Sequence, residues 1–177
     1  MEYTYLENHI SIRREFIRRF TMPYGAFCKS HAAWFEKLPE FYRAQYTQSY
    51  YEQLPYSDRL TPDFQPVSFD EALAQLSRMP QVYFLTYEPG GVMHDHAFFG
   101  SGRLWAARAP GAELADAIRD DWFRQYALWD RDMYDPNPLF ASEIYAFTPD
   151  FTRAVIFTHE TDETELPETR ICLCLNP

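Results

Sequence analysis

Residues 143–159 read EIYAFTPDFTRAVIFTH, and this stretch indicates the fold class of the chain. Apolar residues alternate from Glu143 to Phe147 and again from Arg153 to His159, a pattern typical of β-strands. The proline–aspartate step between the two runs favours a turn. The stretch therefore predicts an antiparallel hairpin, and the alternation from Arg170 to Leu175 predicts a third strand.

Helical patterns lie before this hairpin. The clearest runs from about Ala112 to Trp129, where apolar residues recur at spacings of three and four while acids and arginines take the opposite face. Ser68 followed by Glu71 matches a capping box, which predicts a helix through Arg78. Together with a strand at Val82–Tyr87, these elements predict an α+β fold. We expect one domain over 1–177, with N-terminal helices followed by a mostly antiparallel sheet that has one inserted amphipathic helix.

The N-terminal third is rich in arginine and tyrosine. Apolar residues at helical spacing within the first twenty residues, with four arginines around them, predict a basic amphipathic helix that packs on the domain. Its arginines are expected to meet the acidic C-terminal region. Ser30 is a candidate cap for a short helix, and Pro39 a candidate first residue of the next. Tyr42, Tyr46 and Tyr50 would form a stripe along that helix, as a core or groove wall or an interface.

Three further stretches carry weaker signals. Residues 54–66 contain three prolines and predict a connecting loop, whereas 92–107 are ambiguous between strand and loop. Cys172 and Cys174 alternate with apolar residues, which places them on one face of a strand and predicts buried, reduced thiols. No stretch approaches the roughly 18 apolar residues that a membrane span needs, and acids interrupt the N-terminal segment. We therefore expect a soluble cytoplasmic protein.

Charge is distributed unevenly along the chain. The net charge is −10, and fourteen acids face five arginines between Pro110 and Arg170. Such a one-sided field repels phosphate backbones and anionic lipid, and it steers cationic protein surfaces toward the molecule. The composition therefore argues against nucleic-acid and membrane partners. It favours a partner protein with a basic surface.

Two acidic segments flank the predicted strands, and aromatic residues border them. If these segments meet in space, they form a negative patch with aromatic anchors, which is what a protein-binding surface requires. The predicted partner-binding residues are Asp120, Asp121, Trp129, Asp130, Asp132, Tyr134, Asp135, Glu160, Asp162, Glu163 and Glu165. No catalytic residue and no cofactor are predicted with this surface, and the oligomeric state is left open.

A second hypothesis is a small metal-dependent enzyme. His94 and His96 are two residues apart, so on a strand they would point the same way, and His159 with Glu160 could complete a metal site. If the strands that end near Tyr87 and His159 were neighbours, these groups could converge. The alternative, that these histidines are isolated structural or surface residues, stays open, because a His-x-His pair without a further signature is common by chance.

The stretch from Glu143 to Asp162 resembles the C-terminal part of small uncharacterised bacterial proteins. In those proteins a strand, a turn and a second strand end in a Thr-His-Glu step before a last short strand, and here that step is Thr158-His159-Glu160. In size, charge and aromatic content, the chain also resembles the acidic immunity proteins that bacteria keep beside their toxins. That resemblance implies a cytoplasmic inhibitor that docks onto a cationic toxin domain. It implies no catalytic residue.

Overall fold

In the part of the chain that the structure describes, seven strands form one sheet, and helices cover both of its sides. The computed structural model describes residues 1–86, 104–129, 143–161 and 170–175, with the backbone alone at 125–129 and 159–161. The helices are α1 (His9–Phe20), α2 (Tyr24–Ser30), α3 (Ala32–Lys37), α4 (Glu40–Arg43), α5 (Gln48–Gln53), α6 (Phe69–Ser77) and α7 (Gly111–Trp129). The strands are β1 (Thr4–Tyr5), β2 (Gln65–Val67), β3 (Val82–Thr86), β4 (Trp105–Ala109), β5 (Ile144–Phe147), β6 (Ala154–Thr161) and β7 (Arg170–Leu175).

The strand order is β1-β4-β3-β5-β6-β7-β2, and every pairing among these strands is antiparallel. The predicted hairpin is confirmed as β5 and β6, with Tyr145 opposite Ile156. The third predicted strand is β7, which pairs with β6. At the other edge of β7, the short strand β2 carries Pro66, a residue that edge strands tolerate because it lacks a donor for a further pairing. The α+β class is confirmed.

Side chains alternate between the two sides of the sheet along each strand. On β5, Ile144 and Ala146 join a largely aliphatic cluster, whereas Tyr145 and Phe147 join a cluster rich in aromatic rings. The aliphatic cluster is covered by α6 and α7, and the aromatic cluster by α1. We refer to these as the α6/α7 side and the α1 side. Because both sides are covered, the central strands are apolar at almost every position.

Helices α6 and α7 meet closely on their side of the sheet. The Ser68 hydroxyl accepts a hydrogen bond from the Glu71 backbone N–H at 3.2 Å, which confirms the predicted cap of α6. At the start of α7, the Gly111 N–H donates to the Met79 carbonyl at 3.2 Å. A Cβ added at Gly111 would lie 2.3 Å from the Leu76 carbonyl oxygen, so only glycine allows this approach.

Helix α1 packs on the opposite side, as the sequence predicts. Ile12, Phe16 and Phe20 are spaced by four residues and point into the aromatic cluster. The expected pairing of its arginines with the acidic C-terminal region is wrong for two of them, because Arg18 and Arg19 both bind Glu15 of their own helix. The sheet separates them from α7.

The tyrosine stripe does not lie on one helix. The chain forms two short helices, α4 and α5, with Tyr46 between them, and Thr47 starts α5 by accepting a hydrogen bond from the Tyr50 N–H at 3.3 Å. Pro39 precedes α4 as its cap residue. Ser30 ends α2 instead of capping the next helix, which His31 precedes. These local stop and start signals outweigh the four-residue repeat.

The predicted loop at 54–66 contains a 3-10 turn, Ser57–Arg59, and the beginning of β2. The ambiguous stretch 92–107 is a strand from Trp105 onward, and its residues up to 103 lie outside the described ranges. Cys172 and Cys174 are buried on the α6/α7 side, where burial raises the pKa of their thiols to about 12 and about 11. Both cysteines are unpaired, as predicted.

Candidate functional site

The outer surface of α6 and α7 carries exposed acids. Glu113, Asp116 and Asp120 are spaced by three and four residues, so they lie along one face of α7, and all three are exposed. Asp70 and Glu71 in the first turn of α6 add two more exposed carboxylates. We call these five acids, together with Phe123, the acidic face.

An aromatic side chain lies at the end of this acidic row. Phe123 is 43% exposed and lies three residues beyond Asp120 on α7. Its ring centroid is 6.5 Å from that of the buried Phe69, which supports it from below. A large apolar side chain beside exposed charges is the composition of a protein-binding anchor with a polar rim.

The charges of the two helical layers have opposite signs. Helices α6 and α7 together carry six carboxylates and two arginines, whereas α1 carries four arginines and one glutamate. Arg119 reaches Asp70 at 3.4 Å, but both side chains are at least half exposed, so this pair contributes little. The acids of α6 and α7 therefore keep most of their field, and the sheet separates that field from the basic helix.

The predicted partner-binding residues are distributed over described and undescribed parts of the chain. Asp120 is exposed on α7, as a surface residue must be, and Trp129 is the last residue of the same helix. Glu160 lies in β6. The remaining acids and Tyr134 lie outside the described ranges: Asp130, Asp132, Tyr134, Asp135, Asp162, Glu163 and Glu165.

Asp121 is a correction to that surface, because its side chain is only 3% exposed and binds Arg124 of the next turn. One residue along a helix turns a side chain by about 100°, which takes Asp121 from the outer face to the inner one. The predicted partner-binding residues do not include Glu113, Asp116 and Phe123. The spacing of three, four and three residues from Glu113 through Asp120 to Phe123 predicts that they share one helix face with Asp120.

Asp121 lies near a buried cation. Arg170, the first residue of β7, is fully enclosed, and its guanidinium carbon lies 4.0 Å from the centroid of the Trp122 ring. Its Nε donates to the Thr158 carbonyl and its Nη2 to the Phe157 carbonyl at 3.3 Å. Burial lowers the pKa of Arg170 to about 10, although nearby Cys172, Glu143 and Asp121 oppose this shift, so the side chain is cationic at neutral pH.

Glu143 supplies a counter-charge at the same end of the sheet. Its carboxylate accepts hydrogen bonds from the Ser57 hydroxyl at 2.6 Å and from the Tyr145 hydroxyl. Burial and the neighbouring Glu143 charge raise the pKa of Tyr145 well above its usual value, so the phenol stays protonated as a donor. The network connects α7, β5, β7 and the turn at Ser57. Its enclosure makes it a structural link between the layers.

The described part of the structure does not support the metal-site hypothesis. The strands β3 and β6 are not neighbours, because β5 lies between them in the sheet. His94 and His96 lie outside the described ranges, and His159 and Glu160 are described as β6 backbone. In the part of the chain that the structure describes, no three His, Cys, Asp or Glu side chains are close enough to hold a metal ion.

No described helix has the length and apolar character that crossing a bilayer requires. No protein-family model, curated protein or solved structure matches this chain. Its function must therefore be argued from its own surface and its own chemistry.

Proposed function

We propose that this chain is a cytoplasmic immunity-type protein that binds and inhibits a cationic toxin or effector domain, with the acidic face as part of its docking surface. The observation that carries the proposal is the separation of charge across the sheet. Six carboxylates and two arginines lie in the α6 and α7 layer, against four arginines and one glutamate in α1. A basic partner is attracted to one side of such a molecule and repelled from the other.

Phe123 gives the acidic face a candidate anchor. Interfaces derive most of their affinity from a few large side chains that become desolvated, while rim charges act mainly on the rate of association. Phe123 is exposed and supported by Phe69, and Asp120 and Asp116 precede it on the same helix face. This arrangement supports a model in which the acids increase the rate of association and the Phe123 ring contributes most of the affinity.

The test begins with the gene neighbourhood: a toxin-like open reading frame immediately upstream would supply the cationic domain, which is then produced with and without the protein. We expect the protein to restore growth of cells that express the toxin and to bind the purified toxin domain. The association rate should fall steeply as salt rises from about 50 to 500 mM, because the Debye length shrinks from roughly 14 to 4 Å over that range.

Three charge-reversal variants locate the surface. The variant E113K/D116K/D120K should slow association by about tenfold or more. The control E7K/E36K/E40K makes the same change in net charge at exposed positions away from the acidic face and should retain most of the rate. A third variant, D130K/D132K/D135K, tests the acidic segment that the sequence singles out.

Each result has a distinct meaning. An equal loss in the first variant and the control would show that net charge, and not the acidic face, governs binding. Loss in the third variant alone would move the docking surface to 130–135. The proposed function itself is rejected if the wild-type protein neither binds the toxin domain nor protects the cells.

A further inference from the structure

A groove opens on the α1 side, away from the acidic face. It lies between α1, α5 and the 3-10 turn Ser57–Arg59, and its volume is about 470 Å³. Small-molecule sites typically measure about 300–1,000 Å³, so the groove is large enough for a ligand. Its charged and aromatic lining consists of Arg13, Arg18, Tyr51, Glu52, Tyr56 and Arg59. We call it the basic groove.

Arg59 is the most buried of the charged side chains in this lining. It is 4% exposed, and its guanidinium carbon lies 4.8 Å from the Tyr51 ring centroid and 5.0 Å from that of Tyr56. Its Nη2 also donates to the Glu52 carbonyl at 3.4 Å. The Tyr51 hydroxyl donates to the Met22 carbonyl, which fixes that ring. The planar guanidinium is therefore held in place before any ligand arrives, and preorganisation of this kind reduces the entropic cost of binding.

The other two arginines come from α1. Arg13 is anchored by a hydrogen bond from its Nη1 to the Leu104 carbonyl at 3.0 Å. Arg18 is more exposed and shares its guanidinium with Glu15. Glu52 is the acid among the lining residues, and its carboxylate accepts a hydrogen bond from Gln48 at 2.9 Å. Among the lining residues that the structure describes, three arginines against one glutamate make the lining net positive, in a chain whose net charge is −10.

We propose that the basic groove binds a small organic anion through a carboxylate or phosphate group, with Arg59 and Arg13 as the principal donors. A guanidinium offers paired N–H donors that match either group, and both Arg59 and Arg13 line the groove. Tyr56 and Tyr51 supply the aromatic wall against which an organic ligand can pack. Arg18 also lines the groove, where it is bound to Glu15 of its own helix.

The experiment titrates the full chain with sodium phosphate and, separately, with sodium citrate, each against sodium chloride at matched ionic strength. We expect saturable binding by calorimetry and saturable shifts of the arginine side-chain N–H signals in NMR spectra. Saturation by phosphate alone assigns a phosphate-bearing ligand, and saturation by citrate alone assigns a carboxylate. Either result supports the proposal, and the absence of saturation with both anions overturns it.

A matched pair of variants tests the location. Arg13→Gln should weaken binding about tenfold, the effect of removing one charged hydrogen-bond donor. Arg14→Gln makes the same charge change one residue away, at an exposed position outside the groove lining, and should leave the affinity within about twofold. Equal losses in the two variants would show attraction to the general positive potential of α1 and would overturn the site.

Arg59→Lys tests the geometry at constant charge. Lysine lacks the planar fork that the two rings hold, so binding should weaken even though the charge remains. If this variant does not fold, the comparison of Arg13→Gln with Arg14→Gln decides the question. The acidic-face variant E113K/D116K/D120K should still bind the anion, so failure of the toxin-binding proposal leaves this test unaffected.

Discussion

The two sides of the sheet are built on the same strands, yet they differ in core chemistry and in surface charge. On the α6/α7 side, leucine, isoleucine, alanine and cysteine predominate in the core, and the outer surface is acidic. On the α1 side, the core is a cluster of phenylalanine and tyrosine rings, and the covering helix is basic. Alternation along the strands makes this possible, because each strand contributes to both cores independently. A sheet covered on both sides can therefore carry two separate binding surfaces.

Truncating the aromatic core gives the largest expected effect. Phe16 is fully buried, and four aromatic rings lie 5.1–5.5 Å from it, centroid to centroid. We expect Phe16→Ala to lower the free energy of unfolding by about 3–5 kcal/mol, from lost burial and a residual cavity. Urea unfolding measures the change. Phe123→Ala removes the same atoms at a 43% exposed position and should cost far less, so similar losses would contradict the proposed contrast between buried core and exposed anchor.

The buried cation Arg170 joins the two sides at one end of the sheet. Arg170→Met should lower the free energy of unfolding by about 3 kcal/mol, because the enclosed carboxylates of Glu143 and Asp121 lose a positive neighbour. We place the cost at the lower end of the usual range, since those carboxylates keep their own hydrogen bonds. A double-mutant cycle with Glu143→Gln should return a coupling of about 0.5–3 kcal/mol. Additive losses would mean that the two residues act independently.

Substitution by alanine should have opposite effects at two glycines, because Gly111 lies where α6 and α7 approach closely and Gly25 does not. Gly111→Ala places a Cβ 2.3 and 2.4 Å from two backbone carbonyl oxygens, so the helices must separate, at a cost of about 1–3 kcal/mol. Gly25 in α2 has open space where its Cβ would be, and Gly25→Ala should stabilise the protein by about 0.5–1 kcal/mol. Thermal unfolding of the two variants checks both signs. A neutral Gly111→Ala would show that the helices slide apart freely.

Local patterns predicted the elements whose signals are short in range. The β5–β6 hairpin, the Ser68 cap and the extent of α7 follow from alternation, capping chemistry and helical spacing, each of which acts within a few residues. By contrast, β1 and β2 are two and three residues long and exist because edge positions beside β4 and β7 are available to them. No local propensity encodes such pairings, so the sequence could not predict them.

The candidate functional site was likewise predictable only where its signals are local in the sequence. Asp120 could be predicted as a surface acid, but burial of Asp121 depends on which side of α7 meets the sheet and on the cation that β7 brings there. The basic groove forms only where α1 and α5 come together in the folded chain. Its lining includes residues that are more than forty positions apart in the sequence. The acidic face could have been found from helical spacing alone, since all its α7 members share one face.

The smallest expected effect concerns the one acid of α1. Hydrogen bonds from Arg18 and Arg19 lower the pKa of Glu15 from its usual 4.5 to about 2. The stabilisation from this lowered pKa is present in full above pH 4.5 and is lost as the pH falls from about 4.5 to 2. As the pH falls between these limits, the free energy of unfolding should therefore decrease slightly less for Glu15→Gln than for the wild type. Urea unfolding at a series of pH values measures this difference. The difference should shrink in 1 M salt, because Arg18 is exposed and Glu15 is only partly buried.

The same substitution bears on the basic groove. Without Glu15, the Arg18 guanidinium no longer has a competing carboxylate, so an anion in the groove gains a donor and should bind more tightly in Glu15→Gln than in the wild type. Net charge alone would raise the affinity of every cationic patch on the molecule. Glu7→Gln, an equal charge change at an exposed position just before α1, is the control. Equal gains in anion affinity in the two variants would show that net charge causes the effect. A gain confined to Glu15→Gln would assign the effect to Arg18.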